Sequence, residues 1–440
     1  MPNSSVSAAP DPSVSHPIDA AEADLLLAPL SGLPAVALAV SGGADSTCLL
    51  WLVADWLKRR GTAAVPAPDV VVFTVDHGLR PQARAEAQEV VALCARLSLP
   101  AELLTWSPPT DLTNLQAEAR QARYALLGEA MARRGIEALA TAHHRDDQIE
   151  TFLDRLTRGS GVYGLAAMRP DVHDGPCGLR ILRPLLSVPG ARLRATLSAA
   201  GIAHSEDPSN ENLKFKRVRL RRLMANLGSE GLDPERLLAT VQRMASAAEA
   251  LDAWGSEVLK QNFCQHPAGP GWLDRSVLAA LPAEVRMRLL QRVLGHIGGE
   301  AYPPRFERLE RLDSILRSGE TSRQTLAGCV IAADPVSIAF WRELGRQPAE
   351  TVDVQPGSSL LWDGRFRLSL STAADGLRIG PAGGSVSGFD RDLRAGFPTE
   401  AFVRSPLLVS VSAADDAPAV VPGISPLPAG VSLAHLPLRL

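Results

Sequence analysis

Paired cysteines are missing from this chain. The five cysteines, Cys48, Cys94, Cys177, Cys264 and Cys329, are scattered and form no CxxC pair, so neither a zinc knuckle nor a disulfide framework is supported. Aromatic residues make up only 5%, too few for base-stacking platforms to be the main binding device. No Lys or Arg precedes Lys58, so the cationic start of a signal or transit peptide is not expected. Apolar stretches near 25–40 are broken by Pro29, Gly32 and Pro34, and the next one carries Asp55. No membrane span is therefore expected, and the protein reads as cytoplasmic. With a net charge of −3, affinity for a polyanion must come from a local patch.

A length of 440 residues suggests about three domains. Residues 1–24 begin with a run rich in Ser, Pro and Ala and read as a disordered tail. From 25 to 226, short apolar runs alternate with helical patterns: strands are expected near 35–40, 69–78, 101–106 and 136–144, helices over 45–60, 81–98, 113–134 and 146–157. Buried runs alternating with helices imply an α/β domain with a doubly wound parallel sheet. Residues 229–345 read as a helical domain, with amphipathic segments such as "AEVRMRLLQRVL" at helical periodicity. Residues 350–440 read as a small β-rich or mixed domain.

Three polar bursts follow the expected strands, where such sheets place their ligands. The first is Ser41-Gly42-Gly43-Ala44-Asp45-Ser46. A strand-to-helix turn with paired glycines exposes backbone N–H groups at a helix start, which suits a pyrophosphate. Ser41 and Ser46 add hydroxyls. There is no Walker lysine, and Asp45 would meet phosphate oxygens with like charge, so it is expected to hold Mg²⁺ shared with ATP. The second burst carries His77, placed near the nucleotide or held in its own turn. The third is "HHRDDQIET" (143–151), where His143, Asp147, Glu150 and Asp154 are expected on one helix face. Carboxylates at that spacing repel unless a cation or the helix start compensates them, so a cationic amine or Mg²⁺ is the expected neighbour. Asp146 reads as a cap, and Gln148 and Asp154 as solvated. A metal-dependent phosphohydrolase would need further spaced histidines. Finally, "KFKRVRLRR" (214–222) packs six cations into nine residues, a phosphate-contact candidate or a solvated face.

The hexapeptide at 41–46 resembles the pyrophosphate loop of the PP-loop ATPases, which split ATP between its α- and β-phosphates to adenylate a carbonyl oxygen. "HHRDDQIETFLDRLTRGSG", with "DHGLR", "QAEARQARYALL", "LRPLL" and "EDPSN" in order over about 35–225, is similar to one branch, the tRNA(Ile)-lysidine synthetases. The resemblance implies a Rossmann-like (HUP) catalytic domain and ligation of L-lysine to carbon 2 of the wobble cytidine. The substrate would be a tRNA(Ile) with a CAU anticodon, consuming ATP with Mg²⁺ and passing through an adenylated cytidine. It implies ATP at Ser41, Gly42, Gly43, Ala44, Asp45, Ser46 and His77, and lysine at Asp147, Glu150 and His143. Arg123 would lie beside the reacting groups, and the helical domain would help grip the tRNA, with Lys214, Lys216, Arg217 and Arg221 on its backbone. In the family's Phe-x-Arg-Asn-x-x-Arg pattern, Phe215, Arg217 and Arg221 match but Val218 stands where Asn does. A homodimer is compatible with all of this. The alternative is another PP-loop enzyme such as a tRNA thiolase, which the unpaired cysteines disfavour. A non-catalytic nucleotide or RNA binder would not need the acidic pair.

Overall fold

The computed structural model describes the chain except for residues 1–15, 62–66, 77, 79–82, 108–114, 174, 206–215, 300–303, 346–348, 385–391, 412–419, 424 and 437–440, and the side chains of 115–117, 217, 225–226 and 229. His77 and Lys214 therefore lie outside the described residues, as does the side chain of Arg217. The chain divides into two compact units, residues 1–248 and 249–440.

The first unit runs α1 (Ala20–Leu27), β1 (Ala35–Ala39), α2 (Ala44–Arg60), β2 (Asp69–Asp76), α3 (Ala83–Arg96), β3 (Ala101–Thr105), α4 (Leu115–Arg133), β4 (Ala138–Ala140), α5 (Arg145–Leu156), α6 (Val162–Leu165), β5 (Asp171–Val172), β6 (Arg180–Leu182), α7 (Gly190–Ala200), α8 (Lys216–Ser229) and the first half of α9 (Pro234–Asn262), whose second half belongs to the second unit. The sheet order is β3-β2-β1-β4-β6-β5. All pairings are parallel except the edge pair β5–β6, as the alternating pattern predicts.

Strand β1 shows why the layers form. Val36, Leu38 and Val40 face one apolar layer with Leu49, Leu52, Val53 and Trp56 of α2 and Leu193 and Leu197 of α7. The small Ala37 faces the opposite layer, built with Tyr124, Leu127 and Met131 of α4. A strand buried on both faces must be apolar throughout, and alanine on one side lets a helix carrying a tyrosine approach. The strand order reverses between β1 and β4, so a crevice opens beyond their carboxyl ends. The loop 41–46 follows β1 and the segment 141–147 follows β4, so the two motifs flank that crevice.

The structure corrects the extent of the expected tail. Ile18 is buried, and its N–H donates to the Thr196 hydroxyl at 2.9 Å. Asp19 caps α1 by accepting from the Glu22 N–H at 2.8 Å, and Glu22 pairs with Arg192. The sequence "DAAE" is a helix-start signature with a carboxylate at both ends. Its apolar partners Ala23 and Leu27 bury against α2 and α7.

The second unit is not purely helical over its first hundred residues. Strands β7 (Cys264–Gln265), β8 (Gly271–Asp274), β9 (Ser322–Leu326), β10 (Cys329–Ala333) and β11 (Ser337–Arg342) form an antiparallel sheet in the order β7-β8-β11-β10-β9. Against it pack α10 (Arg275–Ala280), α11 (Ala283–Gly298) and α12 (Phe306–Arg317), through Leu289, Leu290, Val293, Leu312 and Phe340 among others. The strands are two to six residues long, too short for a strong period-2 pattern, so the helices dominate the sequence signal. Two three-stranded antiparallel sheets follow: β12 (Val352–Val354), β15 (Leu377–Pro381) and β16 (Pro406–Ser410), and β13 (Ser359–Trp362), β14 (Phe366–Leu370) and β17 (Val431–His435). This agrees with the expected β-rich ending.

A stacked histidine pair lies in this unit. The rings of His296 and His435 are 4.3 Å apart between centroids, and His296 Nε2–H donates to Gln265 Oε1 at 2.8 Å. Burial, then His435 and Arg365, push His296 down to about 3. Burial is also the first cause that holds His435 at about 4. Both rings are neutral in the folded unit, whereas unfolded histidines take up protons below their ordinary value near ~6.5. Stability is therefore fully present above that value and falls as pH drops from it toward 4. Thermal melts at pH 7.5 and 5 are expected to show a loss on the order of 2 kcal/mol per histidine, and His296→Gln should lose markedly less than the parent. Equal losses in both would rule out this origin.

Candidate active site

The loop after β1 is held by its own hydroxyls. Gly42 has φ +87, a backbone shape that side chains rarely adopt. A Cβ there would also meet Val90 and the Ser205 hydroxyl at 3.4 and 3.5 Å. The Ser41 N–H donates to Ser46 Oγ at 3.1 Å, Ser46 donates to the Gly43 carbonyl at 3.1 Å, and the two serine hydroxyls are 3.2 Å apart. Thr47 donates to the Gly42 carbonyl at 3.2 Å, and the Ser205 N–H donates to the same oxygen at 2.9 Å. The serine hydroxyls thus shape the loop. The first helical bond is Thr47 N–H to the Gly43 carbonyl. Gly43 caps α2 without a side chain, so the amides of Ala44, Asp45 and Ser46 stand at an open helix start with its partial positive charge.

Across the crevice, the connection from β4 to α5 brings in a residue the sequence reading passed over. His144 is the N-cap of α5 and is buried. Its Nδ1 accepts from the Asp146 N–H at 3.2 Å, and its own N–H donates to Asp147 Oδ2 at 3.1 Å, a capping box. With Nδ1 held as an acceptor, the neutral ring carries its proton on Nε2. That nitrogen lies 3.4 Å from Asp45 Oδ2 and 3.6 Å from Asp147 Oδ2. Burial lowers the imidazole pKa, but Asp45, Asp147 and Asp146 outweigh it and hold the ring above the ordinary histidine value. One buried histidine therefore joins the phosphate-type loop to the acidic helix.

The like-charged face is compensated from within. His143 precedes the helix rather than lying on it, its Nδ1 2.9 Å from the Thr141 hydroxyl. Asp147 is taken into the cap. Glu150, with only 5% of its side chain exposed, pairs with Arg221 of α8. Asp154 pairs with Lys216 at 2.5 Å and Arg158 at 3.0 Å. Burial raises its pKa, but Lys216 and Arg158 hold it below the usual carboxylate range. Asp146 is not the cap: its carboxylate accepts from the Gly190 N–H at 3.2 Å. Gln148 is buried, not solvated, and its amide clamps Met168 through two bonds of 2.7 and 2.8 Å.

Of the expected nucleic-acid contacts, Lys216 and Arg221 thus turn to carboxylates of α5. The apolar residues between them explain this. Val218 is buried, and Leu220 packs with Ile149, Phe152 and Leu153 of α5. That pins α8 along the acidic helix. Arg219 and Arg222 are exposed on α8. Arg123 stands on α4 with its guanidinium 5.5 Å from the Tyr124 ring centre, and Arg120 flanks the same ring at 5.2 Å. Arg183, within "LRPLL", is pushed down first by burial and then by Arg120 and Arg155, with Tyr124 opposing. Arg155 is likewise lowered by burial. These two mark a cationic region that composition alone did not single out.

Residues 17–227 match the family model of the PP-loop domain. The chain is similar to a tRNA(Ile)-lysidine synthase of Rhodopseudomonas palustris, at 44% identity over 329 residues, covering 72% of this chain and 92% of that protein. A tRNA(Ile)-lysidine synthase of Ruegeria pomeroyi is 40% identical over 349 residues, covering 79% of this chain and 80% of that protein. Among solved structures there is a U34-tRNA thiolase of Methanococcus maripaludis, at 15% identity and a TM-score of 0.42, covering 52% of this chain and 78% of that one.

Proposed function

The chain belongs to the tRNA(Ile)-lysidine synthase family, and from that premise we propose that it forms lysidine on tRNA(Ile) in two steps at the crevice between β1 and β4. The observation that carries the reading is the His144 contact between Asp45 and Asp147. It puts an ATP-type loop and an amine-type carboxylate cluster on one imidazole.

In the first step the carbonyl oxygen of the wobble cytidine in a CAU anticodon attacks the α-phosphorus of ATP. The P–O bond to the β-phosphate breaks and pyrophosphate leaves toward the amides of Ala44, Asp45 and Ser46. The donor set fits Mg²⁺. Asp45 offers a carboxylate with 41% of its side chain exposed at the open helix start, and carboxylate oxygen is the ligand type that ion takes. Among the described residues no group of three His, Cys, Asp or Glu side chains could hold a metal, so Mg²⁺ at Asp45 would share its other ligands with phosphates. Bound there it would offset phosphate charge. In the second step the lysine side-chain amine attacks carbon 2 and displaces AMP. Asp147 is engaged by the cap and Glu150 by Arg221, and the His143 imidazole, a ring that takes and gives up protons near neutral pH, lies beside the Thr141 hydroxyl. We therefore assign removal of the amine proton to His143. Asp147 and Glu150 supply the negative surroundings for the lysine ammonium groups. The cytidine reaches the crevice because anticodon-loop bases unstack at low cost. Arg123 is assigned to the reacting phosphate, and the exposed cations of α8 to the tRNA backbone. The reading places the reaction in the cytoplasm and allows a homodimer. No helix among the described residues is long and apolar enough to cross a membrane.

A thiolase is the weaker alternative. Burial raises the thiols of Cys48 and Cys94 to about 12 and about 11, and Cys329 is also raised by burial. Such thiols hold little nucleophilic thiolate. The purified chain is expected to incorporate radiolabelled lysine into a CAU-anticodon isoleucine tRNA transcript only with ATP and Mg²⁺. Pyrophosphate release with some other substrate, without lysine incorporation, would sink the reading.

A further inference from the structure

The second unit gathers three arginines, Arg342, Arg365 and Arg404, in one place. Asp363 sits in a tight turn at φ +49 and is nearly buried. It receives Arg365 through two bonds of 2.6 and 3.1 Å, and Arg342 at 3.4 Å. A third guanidinium, Arg404, is only 7% exposed. Its Nε donates to the Glu343 backbone carbonyl at 3.3 Å, while its Nη1 is buried with no hydrogen-bond partner among the described residues. Arg342 Nε is likewise buried, without a hydrogen-bond partner among the described residues. Two guanidiniums thus share one buried carboxylate, and Arg365 also feels the charge of the third. Burial first, then Arg342 and Arg404, push Arg365 down to about 10 against the pull of Asp363.

Arg342 and Arg404 line a cavity of about 380 Å³, together with Asp363, Trp362, Leu360 and Glu350. Glu350 is the other carboxylate on the wall, and its residue is exposed. Buried charges are ordinarily paired. Here two arginines line one cavity and each keeps a donor without a hydrogen-bond partner among the described residues, and arginine donors match a phosphate's oxygens in pairs. The volume also falls within the range of small-ligand sites.

We propose that this cavity binds a phosphate group, with Arg342 and Arg404 as its donors and Arg365–Asp363 as the brace behind them. The choice of phosphate over other anions rests on the reading that the chain handles tRNA and ATP. The phosphate is carried either by the tRNA or by a small free anion.

The test uses the full chain with a non-hydrolysable ATP analogue filling the loop after β1. Inorganic phosphate is titrated by calorimetry into the parent, Arg342→Gln and Arg342→Lys. Arg342 is chosen because 17% of its side chain is exposed, whereas replacing Arg404 endangers folding. The parent should bind phosphate, Arg342→Gln should weaken it by about tenfold or more, and Arg342→Lys should recover part. In parallel, filter binding measures tRNA(Ile) transcript. Weakened tRNA binding alongside weakened phosphate binding supports a phosphate borne by tRNA. Unchanged tRNA binding with lost phosphate binding supports a free anion. The proposal is overturned if phosphate does not bind the parent, or binds a folded Arg342→Gln equally well. Neither result touches lysine incorporation, so the two readings fail separately.

Discussion

Asp45→Asn is expected to slow pyrophosphate release and lysidine formation by about a thousandfold while leaving the fold intact. Asparagine keeps the shape of the side chain and an oxygen for the His144 Nε2–H. What it loses is the charge, and a neutral amide oxygen is a poor substitute for a carboxylate as a Mg²⁺ ligand. The side chain is 41% exposed, so folding does not depend on it, and thermal melts of parent and variant should coincide. The His144 imidazole supplies an independent check. Asp45 is among the groups that raise its pKa against burial, so its NMR titration should move downward in the variant. Single-turnover release of pyrophosphate is the decisive measurement. Full activity in Asp45→Asn would remove Asp45 from the site.

The first unit was legible because its local signals agree. A buried strand, a glycine turn and an amphipathic helix repeat along 35–157, and the parallel sheet follows from that repeat. The two motifs were legible as chemistry because each ends a strand. His144 was not. Histidine is not among the preferred N-caps, so nothing in "HHRDDQ" says that the second histidine closes the helix and faces Asp45. The sequence favours the first, and only the strand-to-helix geometry separates them. The inward turn of Lys216 and Arg221 was equally hidden. Six cations in nine residues read as an outward face until Leu220 is seen to bury against α5 and Val218 to be buried as well. That burial also gives Val218 a packing role at the position where the family pattern has Asn. In the second unit, strands of two to six residues left too little pattern to oppose three strong helices. The arginine cluster is spread over some sixty residues, from Arg342 to Arg404, and only the fold gathers it.

Glu150→Gln is expected to raise the lysine KM by about 10- to 100-fold with the ATP KM unchanged, the loss of one charged contact to an ammonium group. The structure makes this substitution informative because Glu150 is already engaged. Its side chain is 5% exposed, and its partner Arg221 is 48% exposed. Removing the carboxylate charge leaves a cation that water can solvate, so stability should barely change. Removing the arginine instead, in Arg221→Gln, leaves a buried carboxylate with its compensation reduced, which is the more costly half of a pair to orphan. Arg221→Gln should therefore melt lower than Glu150→Gln. With less competition for Glu150, its lysine KM should not rise with that of Glu150→Gln. The split between KM and kcat then decides what the carboxylate does. A higher lysine KM at unchanged kcat means that Glu150 holds the amine. A fall in kcat at unchanged lysine KM would mean that it acts on the reacting groups, and the assignment of the lysine pocket to this face of α5 would be wrong.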